Sequence, residues 1–244
     1  MEGLELRAGE VHVWVADLDV TPAALAAYAA LLAADEHERA GRLRFEHLRV
    51  RFVAGRGILR RLLGEYLHTP PERIAFAYSS YGKPSVAAPA APLPFAFNLA
   101  HSQNIAVYAF ARAPRVGVDV EQAREVIERD QIVERFFSPL ERQALAAVLP
   151  AQREEAFYLG WTRKEAYLKA LGAGITYPLD RFSVSLTPGE APALLQAADL
   201  EDGRGHWTLL AFEPGAGVYA AAAVEGRGWS LHCHSWDSSL LYPF

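Results

Sequence analysis

The alternation of hydrophobic and polar positions near the start of the chain predicts a β-strand. In EVHVWVADL, residues 10–18, Val11, Val13 and Val15 recur at every second position. Side chains two apart point to the same face of a strand, so these valines would form one buried face. Three further runs, FAFNLAHSQ, IAVYAFA and RVGVDVE, follow one another between residues 95 and 121. We expect them to be consecutive strands with short connections.

Other segments carry the spacing or the end signals of helices. Thr21 and Pro22 are typical of a helix N-cap and of the first helical position. Ser138, Pro139 and Glu141 form the pattern of a capping box. The predicted helices are an alanine-rich helix after Pro22, a second around residues 35–44, a third over residues 48–67, one that starts at Ser138, and one over residues 152–171 that ends at Gly172 or Gly174.

The order of these elements predicts an α+β fold, because helices and strands mix without strict alternation. Three strand-like runs, RFSVSL, HWTLLAFE and VYAAAAV, follow the last helix, and the tail WSLHCHSW is a further candidate. With 244 residues, of which 51% are hydrophobic, the chain can bury a core as one large domain or two smaller ones. The best boundary lies at residues 111–115, between two strand runs.

Composition and charge restrict the class of protein. The net charge of −5 argues against nucleic-acid binding by the molecule as a whole. Cys233 is the only cysteine, which excludes an internal disulfide and argues against a cysteine-based zinc site. No apolar run approaches the roughly 20 residues of a membrane span, and the first residues do not resemble a signal peptide. We therefore expect a soluble, cytoplasmic protein.

Positive charge is concentrated between residues 39 and 61, where Glu46 is the only acidic residue. The arginines of this segment are Arg39, Arg42, Arg44, Arg49, Arg51, Arg56, Arg60 and Arg61. The segment suits an anionic ligand or an acidic partner. A solvent-exposed helix face is the simpler alternative.

Two pairs of charged residues suggest chemistry. Asp119 and Glu121 share one face of a predicted strand, and two carboxylates side by side repel unless a cation or donors lie between them. Their oxygens suit Mg²⁺, although a solvent-facing pair is the alternative. Glu165 and Lys169 share a helix face, either as an ordinary ion pair or as a third carboxylate and a phosphate-binding lysine. Lys164 is interpreted as a solvated neighbour.

Two loops add candidate ligand contacts. His101 lies at the end of the strand in FNLAHS, where a loop can present it to a ligand, although lone histidines are more often structural. In SSYGKP, Gly82 permits close approach of the backbone to a ligand and Lys83 offers a charge. His232 and His234, on either side of Cys233 in the chain, would share one strand face. They could suggest a second metal site, but no further metal ligands are evident nearby.

The motifs YGKP, FNLAHS, GVDVE and W-x-x-KEA-x-x-K with a following G-x-G occur in this order. Together they resemble the 4′-phosphopantetheinyl transferases of the surfactin-synthetase-activating type, over roughly residues 40 to 185. Members of this family move the phosphopantetheine arm of coenzyme A onto a serine of an apo acyl or peptidyl carrier protein and release adenosine 3′,5′-bisphosphate. The family fold is a pseudo-dimer of two similar lobes, each a small antiparallel sheet packed with helices.

The resemblance implies a domain organisation and an assembly state. Residues 1–112 would form the N-terminal lobe and residues 113–244 the C-terminal lobe, which carries the metal site, with coenzyme A in the cleft between them. The protein would be a monomer.

The resemblance also implies a role for each matching residue. Asp119 and Glu121 would bind Mg²⁺, or Mn²⁺, with Glu165 as third ligand or as the base. Lys169 and His101 would contact phosphates of coenzyme A, and Gly82 and Lys83 would lie along its adenine nucleotide. Arg51 aligns, across a one-residue gap, with an arginine for the 3′-phosphate.

The match departs from the family at one position. The family usually has serine before the histidine, and this chain has Ala100. One hydroxyl contact to the ligand would therefore be absent, although the backbone at residues 100 and 102 could still bind. We expect a modest loss of affinity and retained activity.

Two other functions fit part of the pattern. A metal-dependent phosphohydrolase would also need clustered carboxylates, but water would attack and no carrier would be required. A non-catalytic module could use residues 39–61 to bind an anionic partner. Such a module would tolerate loss of Asp119, whereas a transferase would lose product formation.

Overall fold

A computed structural model describes residues 4–87, 94–124, 126–174, 177–197 and 206–238 of the chain. The helices in these residues are α1 (Pro22–Ala29), α2 (Ala34–Gly41), α3 (Glu46–Leu67), α4 (Arg129–Phe136), α5 (Pro139–Ala147) and α6 (Arg153–Leu171). The strands are β1 (Glu10–Asp17), β2 (Phe76–Tyr78), β3 (Pro84–Val86), β4 (Ala96–Ser102), β5 (Ile105–Ala111), β6 (Val116–Gln122), β7 (Phe182–Val184), β8 (Leu194–Ala197), β9 (Trp207–Gly215), β10 (Val218–Glu225) and β11 (Ser230–Ser235). The predicted α+β class is confirmed.

A four-stranded sheet with the order β11-β1-β5-β4 forms the first half of the fold. β5 pairs antiparallel with both β1 and β4, whereas β11 runs parallel to β1. Helix α3 covers one face, where its Ile58 and Leu62 are fully buried in a cluster with Tyr108 and Phe110 of β5. The Tyr108 hydroxyl also donates a hydrogen bond of 3.0 Å to the carbonyl of Gly55 in α3.

A three-stranded antiparallel sheet with the order β6-β10-β9 forms the second half, and α6 packs across it. The approach is very close at Gly117, where a Cβ atom would lie 2.1 Å from the carbonyl oxygen of Ala166. Only glycine therefore permits this helix–strand distance. The alternate residues Asp119 and Glu121 lie on the same face of β6 as Gly117, so both carboxylates face α6.

The two sheets pack against each other through small apolar side chains. Val11 and Val107 of the first sheet meet Val118 and Ala222 of the second in one buried cluster. This explains the alanine run of β10: Ala222 faces the other sheet, while its neighbour Ala221 lies in the cluster under α6. A strand that is buried on both faces has no alternation of polar and apolar residues.

The end signals predicted for three helices agree with the structure, whereas α2 ends at Gly41, before the predicted residue 44, and α4 was not predicted. Thr21 accepts a hydrogen bond from the amide of Ala24, and Ser138 and Glu141 form the predicted capping box. Helix α6 ends at Gly172 in the left-handed region, with φ of 68°. The predicted division at residues 112 and 113 stays a prediction, and the pairing of β11 with β1 brings Ser230–Ser235 into the first sheet.

Among the described residues, no helix combines the length and the apolar character that crossing a bilayer requires.

Candidate active site

A cleft of about 680 Å³ lies between α3, the β2–β3 hairpin, β4 and the C-terminal half of α6. The sequence-predicted residues that line it are Arg51, Gly82, Ala100, His101 and Lys169. A smaller recess of about 360 Å³ shares Gly82 and Lys169 with the cleft and adds Lys83 and Glu165. The structure therefore brings seven of the candidate residues, from both halves of the fold, to one continuous surface.

Asp119 lies behind this surface with only 5% of its area exposed. The ammonium of Lys169, on α6, lies 2.5 Å from Asp119 Oδ1. Asp119 Oδ2 is buried and has no hydrogen-bond partner. Burial raises the pKa of Asp119 to about 7, with the charges of Glu165 and Glu121 adding to the rise and Lys169 opposing it.

The other two carboxylates are close enough to Asp119 to affect its charge. Ser102 donates a hydrogen bond of 2.8 Å to Glu121 Oε2, and the same hydroxyl accepts one from the amide of Gln122. These bonds hold the Glu121 side chain in one orientation. Burial raises the pKa of Glu165 as well, and the charge of Glu121 contributes to the rise. A raised pKa makes Glu165 a better proton acceptor.

The contacts of the three carboxylates bear on whether a divalent cation fits between them. No group of three or more histidine, cysteine, aspartate or glutamate side chains in the described ranges is arranged as a ready metal site. Lys169 instead supplies the positive charge next to Asp119. The buried free oxygen of Asp119 and the neighbouring carboxylates of Glu121 and Glu165 are nevertheless the hard oxygen donors that Mg²⁺ prefers. The donor set therefore fits this metal.

The C-terminal histidines lie elsewhere, on β11. Their rings contact the ring of His12 on β1, with centroid separations of 5.5 Å for His232 and 5.2 Å for His234. They thus share one strand face as predicted, but they are outside the cleft.

Two basic residues of the cleft wall, Arg51 and His101, differ in their surroundings. Arg51 makes two hydrogen bonds to the carboxylate of Asp19, at 2.9 and 3.1 Å. Partial burial lowers the pKa of His101, and the charges of Lys169 and Arg51 add to this effect. The lowered pKa favours the neutral imidazole, which can accept or donate a hydrogen bond at the cleft wall.

The side chains of Lys83 and Ala100 point away from the open space of the cleft and its recess, whereas the backbone of Gly82 is open to it. The ammonium of Lys83 donates to three main-chain carbonyls, those of Val116, Lys169 and Ala170. Ala100 is 6% exposed, and its methyl group packs in the cluster between the two sheets. Gly82 has φ of 79° and no neighbouring atoms where a Cβ would be, so its backbone is open to a ligand.

One interpretation from the sequence is wrong. Lys164 is not solvated but fully buried, and its ammonium contacts both oxygens of Glu141, at 2.9 and 2.7 Å, and the carbonyl of Phe182. The reason is that α6 is covered on several sides, by the sheet and by α5 and β7. This buried ion pair joins α6 to its neighbours and lies next to Glu165 in the chain.

Four residues that line the cleft or the recess were not predicted individually. Arg39 and Arg56 belong to the arginine-rich segment, which was the available signal. Tyr78 and Tyr81 lie in the hairpin, and although Tyr81 is the first residue of the YGKP motif, no ligand contact was predicted for either tyrosine. The arrangement as a whole, with cations on the walls and carboxylates behind them, has the charge distribution that suits a ligand with phosphate groups.

Comparison with known proteins identifies the family. Residues 115–224 match the 4′-phosphopantetheinyl transferase superfamily, and residues 19–112 match the family described as 4′-phosphopantetheinyl transferase, N-terminal. The chain is 42% identical over 226 residues to the 4′-phosphopantetheinyl transferase HetI of Nostoc sp., covering 93% of this chain and 92% of HetI. The chain belongs to the 4′-phosphopantetheinyl transferase family. The predicted family and the predicted class of enzyme are confirmed.

Two further similarities cover less of the chain. The 4′-phosphopantetheinyl transferase Sfp of Bacillus subtilis is 33% identical over 137 residues, which are 56% of this chain and 58% of Sfp. The crystal structure of the holo-[acyl-carrier-protein] synthase of Thermotoga maritima is 24% identical, with a TM-score of 0.36, over 46% of this chain and 62% of that one.

Proposed function

We propose that this enzyme transfers the 4′-phosphopantetheine group of coenzyme A to a serine of an apo acyl or peptidyl carrier protein and releases adenosine 3′,5′-bisphosphate. It requires Mg²⁺, which Mn²⁺ can replace. The observation that carries the proposal is the buried, unpartnered Oδ2 of Asp119 beside Lys169, a lysine that lines the cleft. A buried carboxylate oxygen without a donor is expensive unless a cation binds it during function.

The shape and charge of the cleft suit coenzyme A. The ligand carries a diphosphate and a 3′-phosphate, and the cleft has arginines at positions 39, 51 and 56 and Lys169 on its walls. Arginine binds phosphate through two parallel hydrogen bonds, which fixes the ligand's orientation. Arg51 would exchange its bonds to the partly exposed Asp19 for bonds to a phosphate.

The proposed reaction is an attack on the phosphorus atom that carries the pantetheine arm. The serine oxygen of the carrier forms a bond to this phosphorus, and the bond from phosphorus to the bridging oxygen of the diphosphate breaks. The leaving bisphosphate takes the electron pair, and Glu165 accepts the proton of the serine directly or through water. The raised pKa of Glu165 supports this role.

The remaining residues would bind and orient the reactants. Asp119 and Glu121 would hold Mg²⁺, with Glu165 as a third ligand if it does not act as the base, and the bound ion would supply positive charge to the diphosphate and the leaving group. Lys169 would neutralise phosphate charge, and His101 would donate a hydrogen bond to a phosphate oxygen. Phosphoryl transfer depends chiefly on such positioning and neutralisation, so no nucleophile of the enzyme is needed.

The test uses the full chain, coenzyme A, Mg²⁺ and a panel of purified apo-carriers of fatty-acid, polyketide and nonribosomal-peptide type. Intact mass spectrometry should show a gain of roughly 340 Da, the mass of one phosphopantetheine group, on a carrier serine. EDTA should abolish the gain and Mg²⁺ should restore it. Unmodified carriers across the panel, with folded enzyme, would contradict the proposal.

Two control measurements separate the alternatives. A phosphohydrolase would consume coenzyme A without any carrier, whereas the transferase should leave it intact. A binding module would retain its function in Asp119→Asn, whereas the transferase should lose product formation. Glu38→Gln is the matched control, because Glu38 is exposed on α2, where it pairs with Arg42.

A further inference from the structure

The Lys83 side chain reaches from the β2–β3 hairpin to the second half of the fold. Its ammonium lies 2.9 Å from the carbonyl oxygen of Val116, 2.6 Å from that of Lys169 and 3.3 Å from that of Ala170. Val116 begins β6, the strand that carries Asp119. Lys169 and Ala170 belong to the last turn of α6, the helix that carries Glu165. One side chain therefore contacts both elements that supply the candidate carboxylates.

The chemistry of a helix end explains why a lysine is stable there. The last four carbonyls of an α-helix lack partners within the helix, and the C-terminus carries partial negative charge. An ammonium group has three N–H donors, and three acceptors converge on it here. Its donors are therefore already in use, and burial lowers the pKa of Lys83 to about 8, with the charge of Arg115 adding to the effect.

A second contact reinforces the first. The ring of Tyr81, in the same turn, lies against Gly174, where a Cβ atom would be only 2.6 Å from Tyr81 Cδ1. The turn itself is held by hydrogen bonds from the amide of Gly82 to the carbonyl of Ser79 and from the amide of Ser79 to the carbonyl of Lys83. The hairpin turn is thus held in one conformation and contacts the end of α6 through both Lys83 and Tyr81.

We propose that Lys83 is a positioning residue, which fixes the last turn of α6 and the start of β6 against the cleft wall and thereby sets Lys169 opposite Asp119. This deepens the proposed function and rests on it for the catalytic consequence. It gives the Lys83 ammonium a role other than offering its charge to a ligand. The hairpin still lines the cleft through the backbone at Gly82.

The distribution of lysine in the sequence agrees with this role. Lysine occurs only at positions 83, 164 and 169, whereas the many other cations are arginines. Lys164 binds Glu141 from within α6, and Lys169 binds Asp119 from the same helix. At position 83 three carbonyl oxygens accept hydrogen bonds from one nitrogen atom, Lys83 Nζ. This arrangement suits a compact ammonium group and not the planar fork of a guanidinium.

This geometry provides a sharp test, because arginine binds phosphate well but should not satisfy the three carbonyls. Lys83→Arg and Lys83→Met are compared with the wild type and with Ser85→Ala, a control on the exposed face of the same hairpin. Three quantities are measured: the affinity for adenosine 3′,5′-bisphosphate by calorimetry, hydrogen exchange of the amides at residues 168–174, and kcat with an apo-carrier.

A positioning role predicts the same result for both variants. Nucleotide affinity should stay within about threefold of the wild type, exchange at the end of α6 should accelerate at least about tenfold, and kcat should fall at least about tenfold. Lys83→Met should also add little to the loss of kcat in a Lys169→Met background, because both changes act through Lys169.

A phosphate contact predicts a different pattern, which would overturn the proposal. Lys83→Arg would then keep wild-type affinity and kcat, while Lys83→Met would lose about tenfold in nucleotide affinity with unchanged exchange in α6. The exchange and binding measurements need no turnover. They decide the role of Lys83 even if the wild type transfers nothing, a result that would count against the proposed function alone.

Discussion

Lys169 and Asp119 form an ion pair in which only one oxygen of the carboxylate is used. The ammonium lies 2.5 Å from Oδ1, while Oδ2 is buried and has no partner. The pair joins α6 to β6 at the place where Gly117 lets the helix approach the strand. Asp119 is therefore held close to a cation while one of its oxygens has no hydrogen-bond partner, which is consistent with the proposed role as a metal ligand.

The first prediction concerns the stability of Asp119→Asn in metal-free protein. The folded state holds the Asp119 pKa near 7, above the ordinary 3.8, so it binds more protons than the unfolded state between those values. The contribution of this group to stability therefore falls as the pH rises from about 4 to 7. Asp119→Asn removes that loss and should be more stable than the wild type by about 4 kcal/mol at pH 8, with little difference at pH 4.

Urea unfolding of both proteins at pH 4, 6 and 8 measures this difference. The same variant should be inactive in transfer, because it lacks a charged ligand. An Asp119→Asn protein that is less stable than the wild type at pH 8 would mean that the attraction to Lys169 exceeds the cost of burying the carboxylate.

The second prediction concerns the packing of α6 on β6. In Gly117→Ala, the added methyl group would lie 2.1 Å from the Ala166 carbonyl oxygen and 2.3 Å from the Ala170 nitrogen. The helix must move, so we expect destabilisation of about 3 kcal/mol and loss of transfer. Gly41→Ala is the control, because Gly41 has no atom within 4 Å of a new Cβ. Thermal unfolding checks both, and a wild-type melting temperature in Gly117→Ala would refute the packing argument.

The third prediction concerns a buried ionic cluster below the cleft. Glu36 is 2% exposed, and its two oxygens accept from Arg56 at 2.7 Å and from Arg60 at 2.6 Å. Glu36→Gln leaves two buried guanidinium groups without a counter-charge and should lower the free energy of unfolding by about 3 kcal/mol.

The control for this prediction lies in the same helix. Glu38→Gln removes an exposed pair with Arg42 and should change stability by less than about 0.5 kcal/mol. Chemical denaturation measures both values. Equal effects of the two substitutions would show that the buried cluster contributes no more than a surface pair.

The fourth prediction concerns the support of Glu121. Ser102 holds Glu121 Oε2 through a hydrogen bond of 2.8 Å. Loss of such a partner usually weakens metal affinity by about 10- to 100-fold. Ser102→Ala should therefore raise the Mg²⁺ concentration needed for half-maximal transfer by that factor, while kcat at saturating Mg²⁺ changes little. An unchanged Mg²⁺ dependence would exclude Glu121 as a ligand that needs this hydrogen bond.

Local sequence patterns predicted much of the fold. The alternation in β1, the cap at Thr21, the capping box at Ser138 and the glycine end of α6 all act within a few residues, so they are readable in the sequence. The parallel pairing of β11 with β1 was not predicted, because it joins residues more than 200 positions apart. Local periodicity carries no information about such pairing.

The sequence predicted which residues belong to the candidate site, but it did not predict which atoms these residues contact. Lys164 illustrates the limit, because a charged residue beside Glu165 suggested solvent, whereas α6 is enclosed and its lysine pairs with Glu141. Arg56 and Arg60 show the same point, since they belong to a charge-rich segment but are buried against Glu36. The partners of Lys83 are main-chain atoms of distant elements, which no side-chain motif reveals.

The most direct test of the account is a crystal of the full chain soaked with coenzyme A and Mn²⁺, with diffraction data collected at the manganese absorption edge. We predict a single anomalous peak in contact with Asp119 and at least one of Glu121 and Glu165, beside the diphosphate of the bound ligand. Coenzyme A bound elsewhere, or a cleft filled by the ligand with no metal at Asp119, would contradict it.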